Sequence, residues 1–367
     1  MRKLASIAKV ATSVPHENAD RLSVVTLEGR AWKVVTGRDE FQPGDLVVYF
    51  EIDSYLPADD ARYGFLAERC LKKFCLKSGE IVDQGIRIKT VKLRGVVSQG
   101  LVMPLDRFPE AADRAVGDDV TDVLKVRHYD EIAEALRPVV AGRPVPSDAM
   151  GPFPVAFIPK TDEERIQNLA DWFDTMKGET FEVTEKNDGM SVTAFHSALV
   201  DPECPFGVCS RNMRLREETQ NGEVPTPWRV MRKLMAEDRI AAMCRDHGSQ
   251  FALQGELVGP GINGNRDLYT DYEWHVFRIW DIVKQRFVDP RQAMEMTLAY
   301  GFEYVPVIGY VRPFDEFGSV DEILKYAEGV TTKHGREREG LVFKRIGGPC
   351  MVSFKAVSNR YLLGQKD

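Results

Sequence analysis

Phe181-Glu182-Val183-Thr184-Glu185-Lys186-Asn187-Asp188-Gly189-Met190-Ser191-Val192-Thr193-Ala194-Phe195 alternates apolar and polar residues, breaks at Asn187-Asp188-Gly189, and resumes its alternation. That pattern predicts two antiparallel strands joined by a tight turn, a hairpin. On the first strand Glu182, Thr184 and Lys186 share one face, so the lysine is expected among polar neighbours at the lip of the turn. Asp188, two positions on, can return its carboxylate to the amine. A lysine held near a carboxylate and a bound metal or phosphate is a candidate covalent nucleophile, provided its pKa falls from about 10.4 toward neutrality. The rival reading is a surface hairpin with an ordinary lysine. K-x-D-G alone arises by chance in roughly one chain in ten of this length, so other segments have to decide.

Working toward the C-terminus, Phe251–Gly259 reads as a strand on which Gln254 and Glu256 share a face. Glu339 opens a strand that runs to Lys344, and Ser353 and Lys355 share a face of the strand Met351–Ala356. If these strands flank the Lys186 segment, one cleft holds a lysine nucleophile, three carboxylates (Asp188, Glu256, Glu339), Arg211 from the loop Cys209–Met213, and Lys355. Carboxylates suit a hydrated Mg²⁺, and basic groups suit phosphates. The aromatic strand Trp274–Ile282 fits either a core or a base-stacking platform. Helices are expected around Trp228–His247, Pro290–Tyr300 and Val320–Glu328, and the loop Pro260–Asn265 carries Gly261, Asn263 and Gly264, which tolerate positive φ.

Toward the N-terminus the texture changes. Leu22–Leu27, Ala31–Thr36, Leu46–Phe50, Ile86–Leu93 and Gly100–Met103 read as short strands separated by turn signals. Five such strands in about a hundred residues suggest an OB-like barrel. Residues 61–104 carry nine Lys/Arg against three acids, a patch able to meet phosphates in a groove that tracks a nucleic-acid backbone. Within Ile86–Arg94, Arg87 and Lys89 share one parity and Lys92 and Arg94 the other, which predicts a bulge near Thr90-Val91 or one solvated pair. A short helix is expected at Glu131–Leu136. The proline-rich stretch Arg137–Pro159 reads as a linker without regular structure, and Lys160–Leu169, with a capping Thr or Asp and an acidic first turn, as the start of a helix.

The bulk composition bounds these readings. A length of 367 residues suggests two domains: an OB-like module with a helical extension over residues 1–136, the linker over 137–159, and a second domain over 160–367. Net charge is −7, which argues against a protein that coats nucleic acid by charge alone. Of six cysteines, Cys70/Cys75 and Cys204/Cys209 form two C-x4-C pairs, but they lie in different halves, which favours free thiols of a reducing compartment over zinc. No apolar run approaches the ~20 residues of a membrane span, and no secretory signal is recognisable, so no membrane association and a cytoplasmic protein are expected.

The series Glu185-Lys186-x-Asp188-Gly189, Ser210-Arg211-Asn212, Gly255-Glu256-Leu257, Val276-Phe277-x-Ile279-x-Asp281-Ile282, Glu339-Gly340-x-Val342-x-Lys344 and Ser353-Phe354-Lys355 resembles the ordered motifs of the covalent nucleotidyltransferases. With an OB-like module placed first, the chain resembles the Deinococcus and Naegleria type of nick-sealing RNA ligase. That resemblance implies an α+β fold, an N-terminal OB-like β-barrel followed by a nucleotidyltransferase domain of antiparallel sheets flanked by helices. It implies ATP and Mg²⁺ or Mn²⁺ as cofactors, a nicked RNA-containing duplex as partner, and no obligatory protein partner. Lys186 would carry AMP. Asp188, Glu256 and Glu339 would orient the metal's waters or the ribose, and Lys355 would sit on the α-phosphate. Glu185 would read the adenine edge, Phe277 stack on the base, Arg211 meet phosphate and Arg165 grip the β- and γ-phosphates. The family's last motif is often K-x-K. Here Ser353 stands in place of the first lysine, so another cation, Lys344 or Arg165, compensates or adenylation is slow. The alternatives are a catalytically weak or inactive RNA-binding relative, a ligase of DNA nicks, or a guanylyltransferase.

Overall fold

The computed structural model describes residues 3–140, 142, 148–219, 221–348 and 351–364. They divide into two compact units: Met1–Pro146 with Gln167–Asp171 and Leu362–Asp367, and Ser147–Ile166 with Trp172–Tyr361. The architecture is α+β.

In the first unit a five-stranded antiparallel sheet runs in the order Leu101–Pro104, Leu46–Phe50, Ala5–Pro15, Leu22–Leu27, Lys33–Gly37. Its long strand Ala5–Pro15 serves both neighbours by bending at a register shift between Val10 and Thr12. Composition did not advertise this strand, because small and polar residues interrupt its alternation. A second sheet joins Arg127–His128, Ser54–Pro57, Ile81–Arg87 and Leu71–Cys75. Ile7, Val48, Phe50, Leu56, Tyr63, Ile86 and Phe108 pack one core of this unit. The strand expected over Ile86–Leu93 is two pieces, Ile81–Arg87 and Val91–Leu93, and the break resets the side-chain parity. Arg87 lies against Tyr129, 3.9 Å from the ring centroid, and pairs with Asp53 at 3.5 Å.

The stretch expected to be an irregular linker contains regular structure. The helix spans Tyr129–Val140, and Ala149–Pro152 is a strand pairing with Met213–Leu215. Residues 141 and 143–147 of that stretch lie outside the described residues. Nor does Lys160–Leu169 open a helix. Glu164 and Arg165 pair in parallel with Phe354 and Lys355 and run into a 3₁₀ turn, Ile166–Asn168. Pairing with a distant strand overrides a local helix signal that has no apolar face to bury.

The second unit has two sheets. One runs Ala149–Pro152, Met213–Leu215, Phe206–Cys209, Met190–His196, Phe251–Val258, Glu273–Asp281, Arg286–Phe287, with Glu303–Tyr304 also pairing to Glu273–Asp281. Helices Thr226–Lys233, Ala236–His247 and Pro290–Ala299 contribute Trp228, Ile240, Met243 and Met296 to its core, against Val192, Leu253 and Val276. The other runs Glu164–Arg165, Ser353–Val357, Gly340–Arg345, Phe181–Lys186, Val307–Val311. Phe181, Phe314, Phe343 and Phe354 pack together on its far face, with Phe343 and Phe354 stacked at 4.5 Å.

The predicted hairpin is not one. Phe181–Lys186 pairs with Gly340–Arg345 and Val307–Val311, whereas Met190–His196 pairs with Phe206–Cys209 and Phe251–Val258. Asn187-Asp188-Gly189 is therefore the crossing from one sheet to the other. None of the three takes the positive φ that a two-residue hairpin turn demands. The glycine is needed for closeness instead: a Cβ at Gly189 would lie 2.5 Å from Leu257 O and 2.9 Å from Glu256 Cγ.

Candidate active site

Lys186 ends its strand, opposite Gly340, and its Nζ lies 2.8 Å from Glu339 Oε1. Glu256, reached from the other sheet, accepts the Gly189 amide at 3.1 Å on Oε1. Asp188 accepts Tyr361 OH at 2.7 Å on Oδ2 and Asn263 Nδ2 at 3.3 Å on Oδ1. Three carboxylates thus gather at the crossing, one from the turn and one from each sheet. Burial alone would depress the Lys186 ammonium, but Glu339, Glu256 and Asp188 outweigh it and hold its pKa above that of an ordinary lysine. The fall toward neutrality anticipated from sequence does not occur with these groups alone. Burial, Glu339 and Asp188 push the Glu256 carboxyl up to about 8 against the pull of Lys186, and burial likewise raises Glu339. Carboxylates that outnumber the cationic groups beside them suit a hydrated Mg²⁺ or Mn²⁺, reached through water rather than by direct ligation.

Two rungs from Lys186 on the same sheet face lies Lys355, since Thr184 pairs with Val342 and Val342 with Lys355. Lys355 Nζ donates to Asp162 Oδ1 at 2.8 Å, and Arg211 Nη2 lies 3.9 Å from Asp162 Oδ2. Arg165 is the parallel partner of Lys355 in the sheet and is buried, in a strand rather than the expected helix. The structure therefore gathers Lys355, Arg211 and Arg165 around residues 162–165.

Three expected ligand residues have other engagements. Glu185 is 3% exposed, and its Oε1 accepts both Thr332 N, at 2.7 Å, and Thr332 Oγ1, at 2.6 Å. Phe277 is half-buried, and its carbonyl accepts Lys344 Nζ at 2.9 Å. Lys344 is only 1% exposed and also donates to Glu182 Oε1 at 2.9 Å and to Tyr304 OH at 3.0 Å. Its charge is balanced inside the protein by Glu182.

Family models place this geometry. One described as an OB-fold domain matches residues 4–105, and one described as RNA ligase matches residues 179–357. A variant of Naegleria gruberi RNA ligase solved with ATP and manganese is 34% identical over 100% of both chains, with a TM-score of 0.82. The chain belongs to the RNA ligase family. A second Naegleria variant, solved with AMP and manganese, is 34% identical over 98% of each chain at a TM-score of 0.81. The Naegleria enzyme with pyrophosphate is 33% identical over 99% of this chain and 98% of that one, at 0.80. Comparison with curated proteins returns no match.

In this ligase Lys344 is the cross-strand register partner of Ser353, but the side-chain hydrogen bond to the serine comes from a cation the sequence analysis did not name. Arg278 Nη2 donates to Ser353 Oγ at 2.5 Å and pairs with Glu163 Oε1 at 2.8 Å. Sequence reasoning also missed Tyr361 and Asn263, which hold Asp188, and His275, whose Nδ1 is 2.7 Å from Asn187 Nδ2. Parity could have drawn notice to His275, which registers directly opposite Glu256. Tyr361 carries no sequence signal, being separated from Asp188 by 173 positions. Among the described residues no helix is long and apolar enough to cross a membrane.

Proposed function

We propose that this RNA ligase uses ATP to join RNA 3′-hydroxyl and 5′-phosphate ends at nicks, with Lys186 carrying AMP between the two. The observation that carries the reading is the position of Lys186 Nζ, 2.8 Å from Glu339 at the crossing where Asp188 and Glu256 also gather. The Naegleria relatives solved with ATP, AMP or pyrophosphate support the choice of nucleotide.

In the first step Lys186 Nζ bonds to the α-phosphorus of ATP and the bond to pyrophosphate breaks. The amine must first shed a proton, and Glu339 Oε1, 2.8 Å away, is the acceptor within reach. A divalent cation held through water by Asp188, Glu256 and Glu339 would offset charge on the phosphoryl oxygens and, by repulsion, favour the neutral amine. Lys355, Arg211 and Arg165 supply fixed positive charge for the phosphates, the largest contribution available to transfers of this kind. Arg278 brings a guanidinium to the place of Ser353. AMP then passes from Nζ to an oxygen of the RNA 5′-phosphate, and the 3′-hydroxyl attacks that phosphorus, forming the phosphodiester and releasing AMP. The OB-like unit, with its excess of Lys and Arg over residues 61–104, grips the duplex.

Incubation with ATP labelled at the α-phosphate and Mg²⁺ or Mn²⁺ should label the wild type and leave Lys186→Ala unlabelled. Labelling of the alanine variant overturns the lysine assignment. Nicked duplexes that vary only the sugar on each side of the nick test the substrate: sealing of all-DNA strands as fast as strands with a ribose 3′ end overturns the RNA assignment.

A further inference from the structure

Asp188 and Glu339 lie on different segments, 151 positions apart in the numbering, yet a single short element ties them together. Ser358 N donates to the main-chain oxygen of Glu339 at 2.8 Å. The hydroxyl of the same serine accepts Tyr361 N at 3.2 Å, in the manner of a helix cap, as the chain enters the helix Asn359–Gly364. Tyr361 OH then donates to Asp188 Oδ2 at 2.7 Å. Both strut residues are buried, Ser358 fully and Tyr361 to 4% exposure. The tyrosine ring is backed by the Arg266 guanidinium, 4.4 Å from its centroid, and Arg266 is itself held by Glu337 at 3.2 Å.

We propose that Tyr361 is a positioning residue that fixes the Asp188 carboxylate relative to Glu339 for cation binding. The inference rests on the reading of Asp188 as a residue that holds the divalent cation. The chemistry of the donors supports the role. Tyr361 OH and the Asn263 amide occupy one oxygen each, so the carboxylate cannot rotate without breaking a hydrogen bond. Both donors are neutral, so they orient Asp188 without cancelling its charge. A lysine or arginine in the same place would orient it and cancel it. Partners behind the groups that hold a metal commonly set its affinity in this way.

The test is Tyr361→Phe, which keeps the ring, its burial and the Arg266 contact and removes only the hydroxyl. Mn²⁺ binding is read by electron paramagnetic resonance in the presence of a non-hydrolysable ATP analogue, beside the rate of lysyl-adenylate formation at graded Mn²⁺. The expected result is about tenfold weaker Mn²⁺ binding, a half-saturating Mn²⁺ concentration raised in step, and a rate at saturating Mn²⁺ that falls less. In an Asp188→Asn background the same substitution should add nothing, because the charge it orients is gone. Unchanged Mn²⁺ binding in Tyr361→Phe overturns the positioning role while leaving the ligase reading intact. Equal losses in the wild-type and Asp188→Asn backgrounds also overturn it, since the hydroxyl would then act elsewhere. Mn²⁺ binding that is unchanged in Asp188→Asn alone instead removes the reading of Asp188 on which the inference rests.

Discussion

Arg278 reaches across from the strand Glu273–Asp281 to donate to Ser353 Oγ at 2.5 Å, so a guanidinium fills the ground beside the serine. The same guanidinium lies 2.8 Å from Glu163 Oε1 and 5.0 Å from the Phe287 ring centroid. Burial alone would raise the Glu163 pKa, yet Arg278 and Lys355 keep it below that of an ordinary glutamate. Arg278 is thus both the side chain hydrogen-bonded to Ser353 and, with Lys355, a partner that keeps the partly buried Glu163 ionised.

Arg278→Met should accordingly do two separable things. It should destabilise the protein by about 3 to 5 kcal/mol, the usual cost of stranding one member of a buried ion pair, measured by denaturant unfolding. It should also slow lysyl-adenylate formation. Adding Ser353→Lys to Arg278→Met restores an ammonium at the same place and should recover part of both losses. No recovery of adenylation by Ser353→Lys would show that Arg278 acts through folding alone.

Lys344 and Glu182 give a prediction of the opposite kind. Their side chains are 1% and 0% exposed, and burial lowers the Lys344 pKa against the pull of Glu182. Lys344→Met should cost about 3 to 5 kcal/mol by stranding the carboxylate, and Glu182→Gln added to it should return much of that stability. The double variant should keep the wild-type KM for ATP in adenylation. A KM raised tenfold in a stable double variant would restore Lys344 to the nucleotide site.

Gly189→Ala tests the crossing. The added methyl meets the Leu257 carbonyl, which as part of a paired strand cannot swing away. The expected cost is about 1 to 3 kcal/mol of stability. Because the Gly189 amide also holds Glu256, adenylation should fall more than stability suggests, by about a hundredfold for a displacement near 1 Å. Wild-type rates in this variant would mean that the crossing does not set the carboxylate.

These contrasts show which parts of the molecule a sequence makes legible. That Lys186, Asp188, Glu256 and Glu339 come together could be expected ahead of the structure from the order of the motifs that carry them, and the structure does bring them to one crossing. The hairpin failed because alternation says that two segments are strands and not which strands they pair with, and Phe181–Lys186 and Met190–His196 join different sheets. The helix expected over Lys160–Leu169 failed for the same reason, a distant strand winning over a local helix signal. Tyr361 and Arg278 meet their partners only through the third dimension. The OB-like strands were legible where turns punctuate them, but the long Ala5–Pro15 was not, since its bend lets one segment serve two neighbours.

Asp281 gives a dependence on pH whose sign can be worked out. It is 3% exposed, and burial by itself would raise its pKa. Ser249 Oγ donates to Oδ1 at 2.6 Å, Lys284 N donates to the same oxygen at 2.9 Å, and the Lys284 ammonium lies 3.2 Å from Oδ2, so the pKa is lowered instead. A carboxylate whose folded pKa lies below its unfolded value stabilises the fold above the unfolded value, about 3.9, and that stability is lost as pH falls through the folded value. Asp281→Asn keeps the shape and an oxygen that accepts from Ser249, but it cannot titrate. The variant should therefore be less stable than wild type at pH 7, by about 1 to 3 kcal/mol. Its Tm should fall less steeply than that of wild type between about pH 5 and pH 3, the window set by that unfolded value. Parallel curves would mean that the Asp281 charge contributes nothing to the fold and that the Ser249 and Lys284 contacts act as neutral hydrogen bonds.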